Sequence, residues 1–136
     1  MTNNCYILVG VPGSGKTNWI TGKLWKGDYE NSCIASTDDI IESVCLYHNL
    51  TYTEGFDLLI KFADKIFWRD IEDAITKNLD IVIDRTNLSY ASRQKIINFI
   101  ISKCNKNQKY LFHAIEFNTP EKNEWKRRLA ERKNKV

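Results

Sequence analysis

Four short apolar runs punctuate the chain: residues 5–9 (CYILV), 32–36 (SCIAS), 79–84 (LDIVID) and 109–117 (KYLFHAIEF). Runs of this length and continuity fit β-strands, the first three covered on both faces as in a parallel sheet. The stretches between them change to a spacing of three and four. NWITGKLW, residues 18–25, reads as a helix. Residues 38–48 form another, with Ile40, Ile41, Val44 and Cys45 on one face and Ser36 or Thr37 as its cap. From Thr51 or Thr53 the pattern holds for about 20 residues through Phe56, Leu59, Ile60, Ala63, Ile66, Phe67, Ile71, Ala74 and Ile75, the longest amphipathic stretch in the chain. Phe56, Phe62 and Phe67 share a core-like spacing there. Residues 90–104 predict a helix capped by Ser89, with Ile97, Ile100 and Ile101 inward, and residues 121–133 predict the last one. Strands alternating with helices specify an α/β domain with a parallel sheet and right-handed crossovers.

Length and composition narrow the class. At 136 residues the chain predicts a single domain over 1–136. A hydrophobic content of 43% with a net charge of only +3 excludes disorder. No run reaches the roughly 20 apolar residues of a spanning helix, so no membrane association is expected. The segment before residue 10 lacks a basic n-region and reads as a strand, not a leader, which predicts a cytoplasmic protein. Cys5, Cys33, Cys45 and Cys104 form no CxxC pair, and they read as reduced core residues.

Charge is unevenly placed. Residues 120–136 hold seven basic side chains and three acidic ones, whereas the other 119 hold 13 and 14. All the positive excess therefore lies in the final helix and tail, as a solvated face or as a cationic cover over phosphates.

Residues 10–17, GVPGSGKT, match the pattern G-x-x-x-x-G-K-[ST] in full. The glycines let the backbone wrap an anion, and successive N–H groups at Gly10, Gly13, Ser14 and Gly15 would point at phosphate oxygens. The helix that follows adds its N-terminal dipole. Lys16 would reach the β- and γ-phosphates, and the Thr17 hydroxyl would join a Mg²⁺ shell. The motif thus predicts a nucleoside triphosphate site, with ATP and Mg²⁺ as the expected pair, and leaves the phosphoryl acceptor open.

Two acidic positions stand where ligands bind in open α/β sheets, outside the carboxyl ends of the strands. Asp38 and Asp39 follow the second strand. A carboxylate there can take a proton from an attacking hydroxyl, or can simply favour a helix start. Asp84 ends the third strand, the usual place for a carboxylate near Mg²⁺. Arg85, Thr86 and Asn87 supply hydrogen-bonding groups on the loop behind it, and Arg93 lies one turn into the next helix, at the site or on the surface.

Taken in order, these blocks resemble the kinase domain of polynucleotide 5′-kinases, P-loop kinases with an adenylate-kinase-like sheet. GVPGSGKT with Asn18-Trp19 is similar to the family's first block, and Ser36-Thr37-Asp38-Asp39 to its second, whose first Asp is the general base. Ile83-Asp84-Arg85-Thr86-Asn87 is similar to its I-D-x-T-N segment, and Ala91-Ser92-Arg93 fits some members. Phe117-Asn118-Thr119-Pro120 and Arg128 with Arg132 resemble its strand end and paired lid arginines. The resemblance implies a four-stranded sheet in the order 2-3-1-4 under a basic lid at about 118–136. It implies Asp38 as base, with Lys16, Arg128 and Arg132 stabilising charge on the transferring group. Asp38, Asp84, Thr86, Asn87 and Arg93 would then bind the acceptor, a nucleic-acid 5′ end, and Thr17 and Asp84 would attend the metal. Ile41 and Thr37 depart from it, standing where phage-type enzymes carry arginines, the former gripping the acceptor's phosphate. Two other readings stay open: a kinase of a small hydroxyl compound or nucleotide, and a P-loop ATPase or nucleotide-binding switch.

Overall fold

In a computed structural model of the protein, the described residues are 2–10, 15–23, 31–49, 51–85, 89–117 and 121–133. The helical side chains at positions 23, 38, 39, 42, 52–58, 125, 128, 129, 132 and 133 lie outside that description. The elements run β1 (Thr2–Val9), α1 (Lys16–Lys23), β2 (Ser32–Ser36), α2 (Thr37–His48), α3 (Tyr52–Thr76), β3 (Asp80–Asp84), α4 (Tyr90–Lys103), β4 (Lys109–Glu116) and α5 (Lys122–Lys133). The strands form one sheet in the order β2-β3-β1-β4, all neighbours parallel. This is the predicted α/β architecture and strand order. β1 begins three residues earlier than its apolar run. Thr2 to Asn4 pair with Lys109 to Leu111, the Asn4 N–H donates to Asp80 Oδ1 at 2.9 Å, and Asn4 Oδ1 lies 3.0 Å from His113 Nε2. Polar residues enter the strand because each has a partner there.

The two sheet faces follow from strand alternation. Cys5, Ile7, Ala35, Ile81 and Ile83 point to one side, where Phe67, Ile71, Ala74 and Ile75 of α3 and Ile96 and Ile100 of α4 cover them. Leu8 and Val82 point to the other, against Ile20 and Trp19 of α1. A third cluster joins α2 to α3 through Ile41, Cys45 and Ala63. Among the described residues the cysteines are all free. Burial pushes the Cys5 thiol up to about 12 and the Cys33 thiol up to about 11, so both stay protonated at neutral pH.

Helix phase corrects two expectations. Ile101 is 59% exposed, while Ile96 and Ile100 take the buried line of α4. Residue 101 lies about 100° around the helix from residue 100, past the reach of the sheet. Phe62 is 54% exposed, because it sits about 140° around α3 from the fully buried Phe67. Phe56 falls among the side chains outside the description. The α4 pair gives a sharp test. Ile100→Ala should destabilise by about 2–5 kcal/mol and Ile101→Ala by no more than about 0.5 kcal/mol, read by urea unfolding.

The helix ends that set strand starts are well made. α3 ends at Thr76 and is closed by Asn78, whose φ of 56° is left-handed. The Leu79 N–H reaches Ala74 O at 2.9 Å and the Asn78 N–H reaches Ile75 O at 3.1 Å, the paired bonds of a Schellman motif. Ser89 caps α4 as expected, its Oγ accepting from the Ser92 N–H at 3.0 Å.

Candidate active site

Parallel pairing brings the carboxyl ends of all four strands to one edge. Val9 pairs with Glu116, Ile7 with Ile83, and Ser36 with Asp84. Gly10, Thr37, Arg85 and Phe117 follow those strand ends directly, so four connections leave the sheet side by side. An edge of this kind is where α/β proteins bind ligands.

The turn into α1 shows why glycine is needed. Gly15 has a φ of 106°, a conformation closed to side-chain-bearing residues, and its carbonyl accepts the Trp19 N–H at 3.1 Å to open the helix. Lys16 is therefore the first helical residue. It is only 8% exposed, and its Nζ donates to Gly10 O at 3.0 Å, closing the loop on itself. A nearly buried ammonium costs several kcal/mol to desolvate, and an anion in the loop would offset that cost. Thr17, the next residue, is exposed. Gly13 and Ser14 lie outside the described residues.

Asp84 completes this side. Its register partner is Ser36, and it stands two residues beyond Val82, so alternation places it on the α1 face with Lys16. The Thr17 hydroxyl and the Asp84 carboxylate are hard oxygen donors suited to Mg²⁺, which draws the rest of its shell from phosphate and water. No cluster of three His, Cys, Asp or Glu side chains that could hold a metal alone occurs among the described residues.

The α2 end of the edge carries the other candidates. Asp38 and Asp39 occupy the first turn of α2, and their side chains lie outside the description. Thr37 is 3% exposed, and its Oγ1 finds no hydrogen-bond partner among the described residues, so it makes no capping bond. A buried hydroxyl left unpaired costs about 1–3 kcal/mol. Thr37→Val keeps the shape and removes that cost. Its unfolding free energy should be unchanged or higher by about 1 kcal/mol, and a loss of that size would show that the hydroxyl is bonded. Ile41 is fully buried against α3, so it takes part in packing the two helices together.

Thr86 and Asn87 fall outside the described residues, as do Asn118, Thr119 and Pro120. Arg93 is half-buried one turn into α4. Arg128 and Arg132 stand one turn apart on α5, with side chains outside the description. Arg127, just before Arg128, is engaged by its own helix, donating to Glu124 and to Glu131 Oε1 at 2.7 Å. One arrangement escaped the sequence reading. Arg85 Nη2 donates to Asp64 Oδ1 of α3 at 2.8 Å, and its guanidinium lies 4.5 Å from the ring centre of Phe67. Arg85 was visible as a basic residue behind a strand-end acid, but nothing local marks Asp64, 21 residues away.

Comparison with known proteins bears on the fold and on the phosphate loop. The fold matches a chain of the solved Pnkp1/Rnl/Hen1 complex with a TM-score of 0.65, at 22% identity over 92% of this chain. The present chain spans 38% of the length of that one. A family model described as an AAA domain matches residues 6–136, nearly the whole sequence and the whole phosphate loop. The chain therefore belongs to the AAA domain family, as a P-loop domain that binds nucleoside triphosphates.

Proposed function

We propose that this domain is a kinase that transfers the γ-phosphoryl group of ATP to a hydroxyl acceptor, the 5′-OH of a polynucleotide. The observation that carries the reading is the shared sheet edge. A buried Lys16 closes the phosphate loop, Asp84 stands on the same face, and α2 opens beside them with Asp38 in its first turn. A triphosphate donor and an acceptor hydroxyl can meet there in line. The four sequence blocks that resemble polynucleotide 5′-kinases support the choice of acceptor, and the fold match supports it at the level of architecture.

In this reading Asp38 accepts the proton of the attacking hydroxyl. The hydroxyl oxygen bonds to the γ-phosphorus as the bond to the β,γ-bridging oxygen breaks, and ADP leaves. Lys16 and the loop N–H groups hold the phosphates, and Arg128 and Arg132 of α5 act as a lid that balances charge on the transferring group. Thr17 and Asp84 would hold Mg²⁺, which neutralises phosphate charge when bound. The test is ATP turnover with Mg²⁺ and a panel of 5′-OH DNA and RNA oligonucleotides, nucleoside 3′-monophosphates and sugars. Turnover stimulated by the oligonucleotides is expected. Stimulation by sugars alone would assign a small-molecule kinase, and turnover indifferent to every acceptor would assign an ATPase.

A further inference from the structure

The ion pair between Arg85 and Asp64 sits at the sheet edge on the side away from the phosphate loop. Successive residues of a strand end point to opposite faces. Asp84 lies on the α1 face with Lys16, and Arg85 turns to the α3 face, where Asp64 and Phe67 receive it. The end of β3 thus separates two compartments, the start of α1 with Lys16 on one side and the middle of α3 on the other.

The lengths of the elements say what the second compartment is. α3 has 25 residues, about 37 Å of helix, and it runs back along β3, whose 5 residues cover about 17 Å. Residues 65–76 suffice to span the sheet. Asp64 therefore stands at the level of the edge, and residues 52–63, about 18 Å of helix, project past it. α2 packs on that projecting part through Ile41, Cys45, Leu59, Ile60 and Ala63. The two helices make a wall over the carboxyl ends of β2 and β3, and Arg85 lies at its foot.

We infer that Arg85 binds a phosphate of the acceptor next to the hydroxyl being phosphorylated, and that Asp64 is its positioning residue. The inference rests on the kinase reading above and deepens it. Asp84 ends β3 at this edge, and Asp38 and Asp39 stand in the first turn of α2, which opens beside it, so a phosphate-bearing acceptor gains from a fixed cation at the edge. A guanidinium suits that task, because its planar fork can hold two phosphate oxygens at once. One carboxylate and one aromatic ring fix its plane in advance, which lowers the ordering cost of binding. The pair's side chains are 31% and 40% exposed, so solvent and ligand reach them. A pair so open contributes little to stability, at most a few-fold in the folding equilibrium.

The test compares a nucleoside 3′-monophosphate with the same nucleoside as acceptors for the full chain, with ATP saturating. Arg85→Gln should raise KM for the phosphorylated acceptor by about tenfold to a hundredfold and erase its advantage over the bare nucleoside, with KM for ATP unchanged. Arg85→Lys should recover only part of the loss, having the charge without the fork. Asp64→Asn should give a smaller shift of the same kind, and Asp64→Glu should restore most of it. Circular dichroism checks that each variant is folded, and the Asp64 pair carries the test if Arg85→Gln is not. Unchanged acceptor KM and unchanged preference in a folded Arg85→Gln would overturn the assignment and leave a structural ion pair. Wild-type protein that phosphorylates neither nucleotides nor oligonucleotides would overturn the kinase reading itself, and this inference with it.

Discussion

Lys16→Met should lower ATP turnover by about a hundredfold to a thousandfold and leave the fold standing. Lys16 is the residue through which the loop, the helix dipole and the phosphates come together. It opens α1, it is almost wholly buried, and it holds Gly10 O at 3.0 Å, so its charge is fixed within the loop before any ligand arrives. Fixed charge in a water-poor site acts on a developing phosphoryl charge with little reorganisation. Methionine keeps the stem and removes the ammonium. The folded state loses the bond to Gly10 O, about 1 kcal/mol, and is relieved of a desolvated cation, so the two effects oppose each other. The melting temperature should therefore move by only a few degrees while turnover collapses. A loss below tenfold would mean that the phosphates lie elsewhere.

Asp38→Asn should lower phosphoryl transfer by about a hundredfold to ten-thousandfold, with ATP binding retained. Asp39→Asn is the control that gives this result its meaning. Both residues stand in the first turn of α2, where a carboxylate stabilises the helix dipole by about 0.3–1 kcal/mol. If helix-start chemistry were the whole role of the pair, the two substitutions would cost similar small amounts of stability and leave transfer alone. A base at position 38 predicts a large kinetic effect there and only the small stability effect at 39. Nucleotide affinity by calorimetry and transfer by labelled product separate the two parts. Equal, small effects at both positions would remove Asp38 from the chemistry.

The strands were legible because their signal is local. CYILV, SCIAS and LDIVID are continuous apolar runs, and each became a strand of the parallel sheet at or near its predicted bounds. The phosphate loop was legible for the same reason, since its glycines, Lys16 and Thr17 are contiguous and sit between a strand and a helix. What escaped depends on partners far along the chain. The polar residues Thr2 to Asn4 joined β1 because β4 and Asp80 satisfy them. Ile101 turned outward and Ile96 inward because helix phase, not hydrophobicity alone, decides which isoleucine meets the sheet. Arg85 and Asp64 meet only because α3 folds back along β3, a fact of length and topology that no short window contains. Ile41 reads in sequence as a departure at a ligand position. In the fold it is a packing residue between α2 and α3, which explains an apolar side chain there.

The central claim is that the sheet edge passes a phosphoryl group to a hydroxyl, and the most direct measurement follows that group. Wild-type protein, γ-labelled ATP and Mg²⁺ would be incubated with a 5′-OH oligonucleotide, and the product digested to locate the label. Label recovered as a 5′-terminal phosphate, and lost in Asp38→Asn, is the predicted result. Label recovered only as free phosphate, equally in both proteins, would contradict it.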